Sequence, residues 1–333
     1  MLMFNAFQKG ASASDAALLA EAERTSVFWR KSPQSPSMVR LFDFTVDNVG
    51  LNEAARTLVA AAAAGARQRI AFLNAHVINT AAKDVSFARV LDGADRLFAD
   101  GSGMALAARL CGKSLVDNVN GTDLLPLLCA EAQRAGQKLF LLGGRPGVSL
   151  EAAVTLGRMG FADVIAGTHH GYVKRGGKEE SDAIASINAS GASIVLVGMG
   201  APIQDIWIAR NQNKIHAPVL IGVGGLFDFF AGGVSRAPAA LRGAGMEWVW
   251  RLAQEPRRMW QRYLIGNVTF MARAVRQAIE ERMERSPRSN ALARRFGLLR
   301  AAARARVTSV IPALDRKSTR LNSSHVALSR MPS

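Results

Sequence analysis

Between residues 41 and 229 two apolar patterns alternate along the chain. Short apolar runs rich in Val, Ile, Leu and Phe lie within 39–44, 69–74, 95–99, 138–142, 164–168, 194–197 and 219–222. Runs of this length read as strands buried in a sheet. Between them lie stretches with apolar residues at helical spacing. One covers 51–64 and is stopped by Gly65; another covers 76–91, in one piece or two. A third passes through Met104 and Leu110. A fourth follows the turn at 118–123, with Thr122 or Asp123 as its cap, and a fifth leads to Val164. Two more cover 179–188 and 202–213, the latter opened by Pro202. This alternation predicts an α/β fold: a Rossmann-like, mostly parallel sheet with helices on both faces.

The stretch 192–230 is the centre of that pattern. Two strands each end in a glycine turn, with a helix between them, which is a βαβ unit. Ligands of such units bind outside the carboxyl ends of the strands. Gln204 and Asp228 are the polar groups placed there.

The flanks differ in character. Residues 1–37 mix Ser, Ala, Gln, Lys and Pro without period and read as a disordered extension. The α/β core spans 38–236. A helical appendage, 237–285, holds Trp248, Trp250, Trp260 and Tyr263 and a long arginine-studded helix from Glu255 onward. Residues 286–314 are a basic amphipathic tail. Residues 315–333 look like read-through of adapter DNA and stay outside the fold argument.

Charge sharpens the picture. The chain has 333 residues and a net charge of +16. From Arg236 to Arg320 there are eighteen arginines and one lysine against six acidic residues. Such an end calls for an anionic partner: nucleic acid, acidic lipid headgroups or a phosphorylated substrate. No helix-turn-helix, zinc or RNA-binding motif accompanies the charge, which speaks against nucleic acid. No eighteen-residue apolar run predicts a membrane span, and the first residues lack the apolar core of a secretory signal. Cys111 and Cys129 lie in apolar stretches read as helices. They offer no disulfide framework and no metal spacing, and read as small core residues in a reducing cytoplasm.

Several strand ends offer glycines that let a ligand approach bare backbone: Gly101 and Gly103, Gly143, Gly144 and Gly147, Gly198 and Gly200, and Gly222, Gly224 and Gly225. None completes a dinucleotide fingerprint, since Ile203 stands where the third glycine after Gly198-Met-Gly200 belongs. Their recurrence favours a nucleotide or sugar-phosphate site. A nucleotide-dependent oxidoreductase on a Rossmann-like fold and a basic nucleic-acid-binding protein remain as alternatives. Asp100 follows an apolar strand and precedes two glycines. It is a candidate general base, or else a helix cap. His169 and His170 lack the partners of a metal site, and no Asp-x-Asp pair offers a metal to a diphosphate. Arginines 251, 257, 258 and 262 recur at helical spacing. They form a solvated basic face, or in part a diphosphate clamp beside an anionic membrane surface.

An ordered set of motifs then stands out: FLNAHVIN (72–79), FADGSGM (98–104), NGTDLL (120–125), FLLGGRPGV (140–148), GTHHGY (167–172), INASGASIVLVGMGAPIQDIWI (187–208), IGVGGLFDFFAGGVSRAPA (221–239) and EWVWRLAQEPRRMWQRYLIGN (247–267). Together they resemble the WecG/TagA/CpsF glycosyltransferases, glycosyltransferase family 26, from about Val39 to Asn267. The resemblance implies an inverting, metal-independent enzyme without cofactor, at the cytoplasmic face of the bacterial inner membrane. It would move a sugar from a UDP-sugar to a polyprenyl-diphosphate-linked sugar in exopolysaccharide or envelope synthesis. The C-terminal appendage would complete the active site and attach the enzyme to the membrane; self-association is left open.

By position, the resemblance makes Asp100 the base and Asn74 a residue of the same pocket. Gln204 falls near the sugar or diphosphate, Phe227 and Asp228 at the ribose, and Tyr172 at the nucleotide base. Arg251, Arg258 and Arg262 become diphosphate partners. Thr122, Asp123, Gly143, Gly144, Gly198, Gly200, Gly224 and Gly225 join the expected substrate-binding set. Two positions depart from some members: Phe72 replaces a Thr, and Asn118 an Arg. Both departures point to glucose or another hexose rather than an N-acetylmannosamine-type donor.

Overall fold

The computed structural model describes residues 37–238, 240–241 and 244–285. The expected N-terminal extension, the basic tail 286–314 and the segment 315–333 lie outside the described residues. The described residues fall into two units that divide between Val275 and Arg276.

In the first unit the strands are β1 (Met38–Leu41), β2 (Phe44–Asp47), β3 (Gln68–Leu73), β4 (Arg96–Ala99), β5 (Leu139–Gly143), β6 (Ile165–His169), β7 (Ile194–Gly198) and β8 (Val219–Gly222). They form one sheet in the order β1-β2-β4-β3-β8-β7-β5-β6, parallel except for the β1–β2 pair. The helices are α1 (Leu51–Ala63), α2 (Ala75–Ala81), α3 (Val85–Asp92), α4 (Ser102–Leu110), α5 (Gly121–Arg134), α6 (Val148–Leu156), α7 (Lys178–Ser190), α8 (Ile203–Asn211) and α9 (Leu226–Phe230). The appendage adds α10 (Glu247–Gln254), α11 (Pro256–Trp260), a π-helical turn (Gln261–Ile265) and α12 (Gly266–Arg285).

Successive strand residues point to opposite faces, and here both faces are apolar. Leu139, Leu141, Ile194, Leu196, Val219 and Ile221 pack under α1, α5, α6 and α9. Their neighbours Phe140, Leu142, Val195, Val197 and Leu220 pack under Ile184 and Ile187 of α7 and Trp207 and Ile208 of α8. The sheet is thus the middle layer of three.

Two expectations are corrected. The run 39–44 is not one strand. Phe42 and Asp43 adopt φ of 52° and 70°, which turn the chain back so that Leu41 pairs with Phe44. The cap of α5 is neither Thr122 nor Asp123. The side chain of Asn120 accepts from the Asp123 N–H at 2.9 Å, so the cap lies two or three residues earlier than expected. The region from Glu255 is helical as expected, but Pro256 restarts it and the π-helical turn interrupts it. In the second unit, the described end of α12 has an Arg276–Glu280 ion pair at 3.0 Å.

The connections diverge where the site lies. The chain leaves β5 for β6 through α6 on one face, and leaves β7 for β8 through α8 on the other. The neighbouring ends of β5 and β7 are therefore a topological switch point, where open α/β sheets bind ligands.

Candidate active site

Asp100 stands one residue beyond β4. Its N–H donates to the Leu73 carbonyl at 2.8 Å, which aligns the ends of β3 and β4. Asn74, one residue beyond β3, has two tasks. Its Oδ1 caps α2 by accepting from the Val77 N–H at 3.1 Å, and its Nδ2 donates to Asp100 Oδ2 at 3.0 Å. Gly101 follows with φ 92°, a conformation that side chains resist, and its N–H donates to Asn118 Oδ1 at 2.6 Å. Asn118, a departure noted in the sequence, thus holds the loop that presents the aspartate.

Burial pushes the Asp100 carboxyl above the usual carboxylate range. The Asn74 hydrogen bond and the Arg262 charge oppose that shift, while the Asp123 charge adds to it. The result is a carboxylate with basicity beyond that of a surface aspartate.

The appendage closes this end of the sheet. Phe270, 1% exposed, is inserted beside Gly103 and lies 5.0 Å from the Phe42 ring. Asn79 Nδ2 donates to the Gly266 carbonyl at 2.7 Å, and Ser102 Oγ to the Gly245 carbonyl at 2.7 Å. These anchors bring Arg262 into electrostatic contact with Asp100, Arg251 and Arg258. Arg262 is open to solvent, yet protein crowding and the two neighbouring arginines lower its pKa. That combination describes the wall of a cleft. Arg251 is mostly covered, lies 4.6 Å above the Phe229 ring, and reaches Glu255 at 3.6 Å. Arg258 is more exposed and pairs with Glu255 at 2.9 Å. Arg251 and Arg258 share Glu255, and Arg262 faces Asp100, so three guanidinium groups meet two carboxylates and a bound dianion would relieve their repulsion.

The glycine loops divide into two kinds. Gly143 and Gly198 are adjacent across β5 and β7, and a Cβ on Gly143 would lie 2.5 Å from the Gly198 carbonyl oxygen. Both are glycine because backbones touch there. Phe227, 1% exposed, fills the remaining space against Gly198. These three form the floor of the site rather than its surface. Gly200 and Gly224 have positive φ and open space where a Cβ would stand. Gly225 is exposed between Asp228 and Arg251, and Gly144 packs on Val148. Tyr172, 66% exposed, stands beyond β6, where Gly171 abuts Gly143.

Gln204, expected near the sugar or diphosphate, lies beneath the loops rather than at their surface. It is 5% exposed. Its Oε1 accepts from the N–H groups of Gly200 at 3.1 Å and Gly224 at 2.8 Å, so it ties together the loops after β7 and β8. Asp123 is likewise buried, and its carboxylate is taken by Asn120 and Arg236. Thr122 is half-buried in the first turn of α5.

His76 was missed. It stands in the first turn of α2, bonded to the Ala201 backbone, and burial and then Arg262 lower its pKa. It links the Asp100 side of the cleft to the loop after β7. Its signal was its place two residues after Asn74, in a stretch read only for the asparagine. Through Arg262, Arg251 and His76, Asp100 shares one cleft with the loops at Gly200 and Gly225. Among the described residues no group of three His, Cys, Asp or Glu is arranged to hold a metal. Burial pushes the Cys129 thiol far up, which makes it inert.

The model of the Glycosyl transferase WecG/TagA/CpsF family matches residues 39–284. The chain therefore belongs to this glycosyltransferase family.

Proposed function

From that membership, we propose that the protein transfers a hexose or N-acetylhexosamine from a UDP-sugar to a sugar on polyprenyl diphosphate. The transfer serves exopolysaccharide or cell-envelope polysaccharide synthesis and proceeds by inversion without a metal. The observation that carries this reading is the convergence of Asp100, Asn74 and Arg262 in one cleft at the carboxyl end of the sheet.

The chemistry follows from the groups present. Asn74 donates to Oδ2 of Asp100 and orients the carboxylate, leaving Oδ1 for the acceptor hydroxyl. As that hydroxyl attacks the anomeric carbon, its proton passes to Asp100 and the bond to the diphosphate oxygen breaks. One base is enough for a single in-line displacement. The departing UDP takes the bonding electrons, and Arg251, Arg258 and Arg262 meet the charge that develops. Their charge is fixed, so this stabilisation needs no metal. Gly200, Gly224 and Gly225 offer backbone to the diphosphate, Asp228 suits the ribose and Tyr172 the base. Gln204 acts beneath these loops.

No helix among the described residues is long and apolar enough to cross a membrane. Trp260, Leu264, Ile265 and Val268 are nonetheless exposed on the appendage, beside exposed Arg257 and Arg258. An apolar face rimmed by arginine suits the surface of an anionic bilayer, where the lipid-linked acceptor resides.

The test is an assay with a lipid-linked acceptor and a panel of UDP-sugars, with EDTA present, and the product anomer read by NMR. Inverted product with EDTA present is expected. Retained configuration, or loss of activity with EDTA, would remove the mechanism; no UDP binding would remove the donor class.

A further inference from the structure

Ser235 and Arg236 lie between α9 and α10, in the stretch VSRAP that the proposed chemistry leaves unused. These two adjacent residues face opposite partners. Ser235 is gripped by α10. Its N–H and its hydroxyl each donate to Gln254 Oε1 at 2.9 Å. Its carbonyl accepts from Gln254 Nε2 at 3.0 Å and from Trp250 Nε1 at 3.3 Å. Arg251 belongs to that same helix.

Arg236 turns toward the core. Its guanidinium pairs with Asp123, and the two side chains are only 16% and 5% exposed. The other Asp123 oxygen accepts from Asn120 Nδ2 at 2.6 Å. The Asn120 N–H donates to the Asn118 carbonyl at 2.9 Å, and Asn118 Oδ1 accepts from the Gly101 N–H at 2.6 Å. Gly101 is the residue after Asp100. A continuous set of hydrogen bonds thus runs from Arg236 to the backbone of the loop that presents Asp100.

We propose that Ser235-Arg236 is a two-sided staple. It sets the Asp100 loop in register with the arginine-bearing helix α10, and both residues are positioning residues. Adjacent Cα atoms are fixed about 3.8 Å apart, so the two grips transmit position with little slack. A buried ion pair adds little net stability, but it tolerates few geometries. It therefore suits register better than it suits holding the fold together. The proposal rests on the glycosyl-transfer reading only for the roles of Asp100 and Arg251.

The test is hydrogen exchange by mass spectrometry, beside steady-state kinetics, on the full chain and on Arg236→Gln, Arg236→Lys and Ser235→Ala. In Arg236→Gln, exchange in 99–103 and 118–123 should quicken about tenfold or more while β5 and β7 keep their protection. Its kcat should fall about 10²-fold with the KM for the UDP-sugar little changed, because a misplaced base is the main loss. Arg236→Lys keeps the charge and should recover part of kcat. Ser235→Ala should instead loosen 247–254 and raise that KM. A merely structural pair would lower protection everywhere and move kcat and KM alike.

If Arg236→Gln does not fold, the uncharged pair Asp123→Asn with Arg236→Gln takes its place. Unchanged exchange in 99–103, in whichever of these folds, overturns the proposal. Local quickening in the variant, beside a wild-type chain that binds no UDP, keeps the staple and removes the glycosyl-transfer reading. Unchanged exchange in a UDP-binding chain does the reverse.

Discussion

Asp100, just past β4, and Asp205, in the first turn of α8 after β7, are both carboxylates at the carboxyl end of the sheet. Burial is the main cause that raises the pKa of each, Asp205 to about 7. Their company differs. Asp100 is mostly but not wholly buried and faces the Arg262 charge and the Asn74 amide. Asp205 is 7% exposed, packs against Gly222, and has Gln204 as its side-chain partner. A raised pKa thus marks burial in both places. On the proposed reading, access and an opposing cation distinguish the carboxylate that passes a proton from the one that does not. Perturbed titration alone is a pointer to function, not a proof.

The comparison can be broken most sharply at Asp100. Asp100→Ala should lower transfer about 10³-fold while UDP binding, read by thermal shift, persists. Near-normal turnover would move the base elsewhere. Next is the cation. Arg262→Ala should cost about 10² in kcat, the usual cost of losing one group that stabilises developing charge. Arg262 favours the ionised form of Asp100, so its removal should also move the acid limb of the kcat/KM profile to higher pH. An unmoved limb would mean that the two groups do not meet in solution.

On the Asp205 side, Gln204→Leu leaves the Gly200 and Gly224 N–H groups without their acceptor. A loss of about 2 kcal/mol in urea denaturation is expected. Asp205→Asn should have the opposite sign. A carboxyl raised to about 7 in the fold stays protonated there while the unfolded chain ionises. Stability is therefore complete below the unfolded pKa near 4 and declines as pH rises toward 7. The gain from removing that charge should grow as pH rises from about 4 toward 8 and be absent near pH 4. A difference that does not grow with pH would place the titration in another group.

Much of this was legible beforehand. The β7–α8–β8 unit follows from its apolar runs, and its boundaries fall within two residues of those expected. The place of Asp100 just past a strand was legible because it follows an apolar run and precedes two glycines. Gln204 was legible as a residue of the site region but not as a bracket beneath it. Its partners are N–H groups of two loops, and only folding brings those together. Phe227 misled in a similar way. A Phe-Asp pair after a double glycine reads as ligand-facing, yet the ring is needed to fill the space above Gly198. Arg236 left no mark among eighteen basic neighbours, because nothing local indicates that it meets Asp123.

By itself the amino-acid order determined what depends on near neighbours. The strand and helix alternation, the glycine turns and the basic character of the appendage are local properties of side-chain pattern and charge. Tertiary structure alone decided which arginine faces the carboxylate, which glycines are pressed against backbone, and which polar groups are consumed in holding loops. Those outcomes depend on distances between segments far apart in the chain. Such distances are set by how the three layers pack and by where Phe270 anchors the appendage.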